Sequence, residues 1–167
     1  STFSLYGIQA GTPKAQGGQI VTTDGTYWYH AFTTSGTFTP SSAITADYLI
    51  VAGGGGGMGN ISGGGGAGGV RAFASQSFSA NTPYSCIVGA GGAGGGAVYF
   101  SPNATEGNNT TFNGTSVTGG GHGQYGAGAA GSGGSGGGAR SSATAGAGNA
   151  GSYSPVAVSY THLRAHE

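Results

Sequence analysis

The sequence predicts a mainly β and extended fold with no significant helix. A short N-terminal β-sheet region should lead into a packed bundle of glycine-rich segments of the polyglycine-II or polyproline-II type. Three observations carry this: 41 of the 167 residues are glycine, β-prone runs are punctuated by turn signals, and one glycine stretch has a spacing of three. Helix is disfavoured because each interrupting glycine costs about 1 kcal/mol there. Up to Ser152 no window sustains apolar residues at i, i+3, i+4 and i+7.

Residues 1–46 read as short strands and turns. The runs are Gln19-Ile20-Val21-Thr22-Thr23, Tyr27-Trp28-Tyr29-His30-Ala31-Phe32 and Gly36-Thr37-Phe38-Thr39. Alternation in the second puts Trp28, His30 and Phe32 on one face and Tyr27, Tyr29 and Ala31 on the other, so both faces should be covered. Asp24-Gly25 and Ser35-Gly36 are hairpin signals. Pro40, which cannot donate to a ladder, ends the third run.

Residues 47–155 form the glycine-rich part. A recurring unit sends a β-prone segment directly into glycine: Tyr48-Leu49-Ile50-Val51-Ala52 into Gly53, Tyr84-Ser85-Cys86-Ile87-Val88 into Gly89, and Thr115-Ser116-Val117-Thr118 into Gly119. Within 126–139, Ala129, Ser132 and Ser135 recur at every third residue, and Gly128, Gly131, Gly134 and Gly137 form a parallel row. A period of three belongs to the polyproline-II helix, which has no internal hydrogen bonds. A row of pure glycine lets a second backbone approach. Ordering 119–152 costs about 1–2 kcal/mol per residue, and each backbone hydrogen bond returns about 0.5–1.5 kcal/mol. The bundle therefore needs many neighbours and an anchor on the β-segments; the alternative is a flexible linker.

Composition narrows the function. Four Lys+Arg balance four Asp+Glu, so no charge footprint exists for nucleic acid or an anionic surface. No apolar run approaches the roughly 20 residues of a membrane span. Leu, Ile, Val and Phe together number 24, which is low for a core, but the high net charge typical of disordered chains is missing. The single Cys86 excludes an intrachain disulfide and multi-cysteine metal sites. The start at Ser1, without an initiator methionine, is read as an N-terminus that is either processed or not included in this sequence.

Catalytic motifs fail one by one. Gly54-x-Gly56-x-x-Gly59 matches a dinucleotide fingerprint formally, yet 60–69 cannot be helical and no acidic residue occurs between Asp47 and Glu106. The one lysine, Lys14, is not in a P-loop. Asp24, Asp47, Glu106 and Glu167 are far apart in sequence, and Cys86 with His30 or His122 lacks an orienting third group. No enzyme activity and no cofactor are expected.

Recognition by loops is the better reading, since binding residues concentrate on loops held by a scaffold. The candidates are Tyr99, Phe100, Asn103, Asn108 and Asn109 in one loop, with His122 and Tyr125 from a neighbouring turn. Aromatic rings, amides and hydroxyls in this mixture suit sugars; the alternative is an ordinary polar loop. Asn60-Ile61-Ser62 and Arg140-Ser141-Ser142 lie in further turns, and Asn-x-Ser/Thr sequons occur at Asn60, Asn103, Asn108, Asn109 and Asn113.

Tyr29-His30-Ala31-Phe32-Thr33-Thr34-Ser35-Gly36, then Asp47-Tyr48-Leu49-Ile50-Val51-Ala52-Gly53-Gly54-Gly55, then Gly63-Gly64-Gly65-Gly66-Ala67-Gly68-Gly69-Val70-Arg71 resemble the glycine-rich domain of bacteriophage tail-fibre and other virion proteins. The resemblance spans roughly 27–152. It implies a sandwich of polyglycine-II helices with variable host-recognition loops at one end, on a virion surface or outside the cell. The implied partners are further copies or other fibre proteins, and a host-surface glycan or protein. The rivals are a self-assembling extracellular filament subunit and an ice-binding protein. Residues 156–167 shift in composition and resemble a translated sequencing-adaptor read-through; they are expected to be a non-native tail, so His162 and His166 are not read as ligands.

Overall fold

The computed structural model describes residues 3–6, by backbone pairing alone, together with 11–59, 62–96, 103–126, 128–140 and 143–148. Among the described residues, alternating and branched side chains form ten strands: β1 Phe3–Tyr6, β2 Ala15–Gln16, β3 Ile20–Thr23, β4 Trp28–Phe32, β5 Gly36–Pro40, β6 Ile44–Val51, β7 Val70–Phe78, β8 Tyr84–Ile87, β9 Thr110–Phe112 and β10 Thr115–Val117. They pair antiparallel into two five-stranded sheets, ordered β3-β4-β1-β6-β7 and β10-β9-β8-β5-β2. No helix occurs among the described residues.

The sheets share one core. Period-two alternation turns Ala46, Tyr48 and Ile50 of β6 inward, and with Phe32 and Phe78 they meet Phe38, Cys86, Phe112 and Val117 from the other sheet. The rings pack mostly edge to face: Tyr48 and Phe112 have centroids 5.0 Å apart, and Phe38 and Phe78 5.7 Å. Each fully buried Phe contributes about 1.5–3 kcal/mol, so a few aromatics anchor a chain poor in large apolar residues.

Turn chemistry follows the sequence at Asp24-Gly25. Gly25 has φ +90°, Asp24 Oδ1 accepts from the Thr26 and Tyr27 amides at 2.8 and 2.7 Å, and its Oδ2 accepts from the Tyr29 hydroxyl. The Tyr29 hydrogen bond, backed by those amides, holds the Asp24 carboxyl below its ordinary value. Ser35-Gly36 behaves differently from the expected hairpin. β4 and β5 lie in different sheets, so 33–35 is a corner between layers.

Beyond the strands, the glycine segments run side by side. β6 continues as 52–58 and the chain returns as 63–69 into β7; β8 continues as 88–95 and 103–109 leads into β9; β10 continues as 118–124. Further segments 128–133, 134–139 and 143–148 join through their own hydrogen bonds. Bonds recur at every third residue, the polyproline-II period. In 52–58, the amides of Ala52, Gly55 and Met58 donate to the carbonyls of Gly69, Gly66 and Gly63, and those of Gly53 and Gly56 donate to Asn108 and Thr105. The carbonyls of Gly54 and Gly57 accept from Gly92 and Gly95, and those of Gly53 and Gly56 accept from Gly120 and Gly123. This one segment is thus bonded to four others, and the packed bundle, not the linker, fits the described residues between 52 and 148.

The structure places two further features of the sequence. The division between residues 46 and 47 falls inside β6, because Ala46 and Tyr48 belong to one alternating inward face. Strands on both sides of that point build both sheets. The row of Gly128 to Gly137 is not one straight helix either: the chain bends at 133–135, and Gly137 donates back to the Gly131 carbonyl at 2.9 Å. Those glycines still permit close approach, to parallel as well as antiparallel neighbours: Gly137 lies against the His122 carbonyl of 118–124, which pairs parallel with 134–139. The expected tail at 156–167 lies outside the described residues.

Adjacent glycines make the packing testable. A Cβ on Gly55 would stand 2.1 Å from the Gly121 carbonyl oxygen, whereas the nearest atom to one on Gly54 is 3.7 Å away. Gly55→Ala is expected to destabilise by about 1–3 kcal/mol through forced separation of segments. Gly54→Ala should be neutral or stabilising by up to about 1 kcal/mol, since it restricts the unfolded chain; thermal melts of the two variants check the contrast.

Burial also pushes the Cys86 thiol from 9.0 up to about 11. A raised folded value means that its contribution to stability is present below pH 9 and is lost as pH rises from 9 through about 11. Denaturant titrations across that window should show one proton fewer linked to unfolding in Cys86→Ala than in the unmodified chain.

Candidate functional site

The bundle has a sheet end and a free end, and the register assigns residues to each. Gly63 donates to the Gln124 carbonyl at 3.4 Å, Gln124 to that of Gly138 at 3.1 Å, and Gly95 to that of Gly57 at 2.9 Å. These bonds gather residues 57–58, 63, 95, 124 and 138 at the end remote from the strands. The Thr105 amide donates to the Ala93 carbonyl at 3.0 Å, which brings Asn103 to the same end.

Among the described residues, the free end carries Asn103, Gln124, Tyr125 and Arg140. Arg140 donates through its guanidinium to the Tyr125 hydroxyl at 3.1 Å, and its Cζ stands 5.2 Å from the centre of the Tyr125 ring. The pair is held from both sides, since 124 and 138 are hydrogen-bonded across the segments that lead into it. Gln124 turns its amide nitrogen onto the Tyr125 carbonyl at 3.0 Å. A ring with a cation over it, beside amides, offers a stacking surface and directional donors for a polar or anionic ligand.

His122 lies lower on 118–124. Its Nδ1 is 3.7 Å from Glu106 Oε1, with the histidine one-quarter and the glutamate over half exposed. Both side chains lie over Gly131, where a Cβ would stand 2.4 Å from His122 Nδ1 and 3.0 Å from Glu106 Oε1. The glycine row therefore makes room for side chains as well as backbones.

The sequence candidates separate into distinct places. Asn103 and Tyr125 come to the free end, and His122 pairs with Glu106 along the side. Asn108 and Asn109 sit at the sheet end, where Asn108 joins the lattice through its backbone and Asn109 Oδ1 accepts from the Gly119 amide at 3.0 Å. These two hold 103–109 to its neighbours. Tyr99 and Phe100 lie outside the described residues. Arg140 reads in the sequence only as part of a turn, because nothing local shows that it meets Tyr125 fifteen positions earlier.

The considered Cys–His pairs are placed where a substrate has no access on the cysteine side. Cys86 is 1% exposed. His30 is fully buried, with Nδ1 2.7 Å from the Gly17 carbonyl oxygen and its ring 5.4 Å from that of Phe38. No group of three or more His, Cys, Asp or Glu side chains assembles among the described residues.

No curated protein and no solved structure matches the chain. A family model described as a glycine-rich domain matches residues 33–160, and the chain accordingly belongs to that glycine-rich domain family.

Proposed function

We propose that the protein is a non-enzymatic structural and recognition domain of a virion surface, such as a tail fibre, which displays binding residues at the free end of its glycine bundle. The observation that carries this reading is the common level at which the segments ending at 58, 95, 124 and 139 and those beginning at 63, 103, 128 and 143 meet, remote from the core. Loops so placed can contact a surface without disturbing the packing beneath them.

The chemistry at that end supports a carbohydrate-like ligand. Tyr125 supplies a ring face, Arg140 a fixed fork of donors that suits a carboxylate or vicinal hydroxyls, and Asn103 and Gln124 supply amides. The chain is neutral overall, so affinity would come from stacking and directional hydrogen bonds and would change little with salt. The buried thiol with its raised value, and the buried His30, favour recognition over nucleophilic catalysis.

A glycan array probed with the purified chain tests the proposal. Binding to neutral or acidic sugars is expected, with Arg140→Ala and Tyr125→Ala each weakening it at least about tenfold, equal to about 1.4 kcal/mol, and melting temperatures unchanged. Binding that survives both substitutions would move the site elsewhere on the surface. Absence of binding to any glycan or intact cell surface, together with open-ended homopolymers in electron micrographs, would replace this reading with that of a filament subunit.

A further inference from the structure

Exposed large apolar side chains among the described residues are Ile20, Val21, Tyr27 and Ile87. The first three fall on the β3–β4 hairpin, and two are neighbours in β3 itself. β3 ends its sheet, and all four of its residues are exposed. Residues paired directly across an antiparallel ladder share a face. Val21 is opposite His30 and so lies on the face turned toward the core, while Ile20 is opposite Ala31 on the outer face. Yet Val21 is 43% and Ile20 54% exposed, whereas His30 is fully buried. The opposing sheet ends at β2, only two residues long. Among the described residues, β3 thus has the composition of an interior strand and the cover of none.

The other edges are blunted in ways that β3 is not. β7 carries a register shift, with Ser75 at φ +53° tied by its amide to Asp47 Oδ1 at 2.7 Å, and it bears Arg71. β10 has three residues and passes at once into the glycine lattice, where the Thr118 carbonyl accepts from Gly69. β2 is too short to template a partner. Charges, bulges and brevity are the usual protections of a free edge, and Ile20-Val21-Thr22-Thr23 has no charge, no proline and no bulge.

We infer that β3 is a self-association edge, at which two copies of this chain pair β3 to β3 antiparallel about a two-fold axis. A two-fold perpendicular to the sheet keeps each residue on its own face. Centred on Val21, it sets the two valines against each other, Ile20 against Thr22 of the second copy, and Gln19 against Thr23. The only nearby charge, Asp24, then falls opposite Gly18, so the strand meets its copy without like-charge contact. The pairing would extend one sheet through both molecules and cover the inner face of Val21. It leaves the free end of the glycine bundle untouched and stands independently of the recognition proposal.

Sedimentation velocity of the full chain over a concentration series tests this. The unmodified protein is expected to shift from monomer to dimer as concentration rises, and Val21→Lys to weaken that association at least tenfold with an unchanged melting temperature. Under mild oxidation Val21→Cys should form a covalent dimer, whereas the unmodified chain, whose one thiol is the buried Cys86, should not. The cysteine variant decides the matter should the lysine variant fail to fold. A monomer at every concentration, a dimer indifferent to Val21→Lys, or no covalent dimer from Val21→Cys would each overturn the inference.

Discussion

The structure depends on one interaction: the main-chain hydrogen bond between neighbouring segments that have no side chains to keep them apart. A polyproline-II-type helix leaves every amide and carbonyl unpaired within itself. Buried, those groups must find partners elsewhere. Segment 52–58 meets the demand by facing 63–69, 88–95, 103–109 and 118–124 together, with successive residues serving different neighbours. Such closeness is possible because carbonyl oxygens of neighbouring segments stand about where the missing Cβ atoms of Gly53, Gly55 and Gly56 would be, 1.9 to 2.1 Å from the ideal positions. Glycine here is required for distance, and for positive φ only at a few turns such as Gly25 and Gly114.

That lattice does not start itself. Ordering each residue costs about 1–2 kcal/mol, and glycine loses more freedom than any other residue, so one pair of segments would not hold. The aromatic core lowers the entry cost. β6, β8 and β10 each send a segment out of the sheets, and β7 and β9 each receive one back. Strands already side by side deliver glycine segments side by side, which shortens the search for partners. Phe32, Phe38 and Phe112, all fully buried, thereby do more than stabilise the sandwich: they fix which glycine segments are neighbours.

Much of this is legible in the sequence, and the failures have physical causes. The runs ending at Ala52, Val88 and Thr118 are strands that pass into glycine, because β-branched and aromatic residues favour the pleated surface and the punctuation is abrupt. The alternation of Trp28, His30 and Phe32 identifies the inner face of β4. β7 is not legible, since Ala72, Ala74, Ser75 and Ser77 give it little β signal; it exists because β6 offers a long ladder, with a bulge absorbed at Ser75. The β9–β10 hairpin does carry a local signal: Asn113-Gly114, at φ +46° and +77°, is the two-residue turn that such dipeptides favour. At the candidate site, Tyr125 stands out as an aromatic in a glycine desert, but its contact with Arg140 depends on chain reversals between the two that no local pattern announces.

The same physics bears on what the domain can do. A core of side chains constrains the sequence wherever it packs, so a recognition residue placed near it competes with packing. A lattice of backbone bonds asks only that certain positions remain glycine, and it is indifferent to the residues beyond the last paired one of each segment. Gln124 and Gly138 are bonded to each other across neighbouring segments; Tyr125 and Arg140, one and two residues beyond, are positioned by that bond and by their contact with each other. In the proposed recognition role, exchange of those side chains would alter what the free end binds while leaving intact the backbone hydrogen bonds below it. On that proposal, scaffold and recognition would be separated by a single step along the chain, an arrangement that a hydrophobic core does not provide.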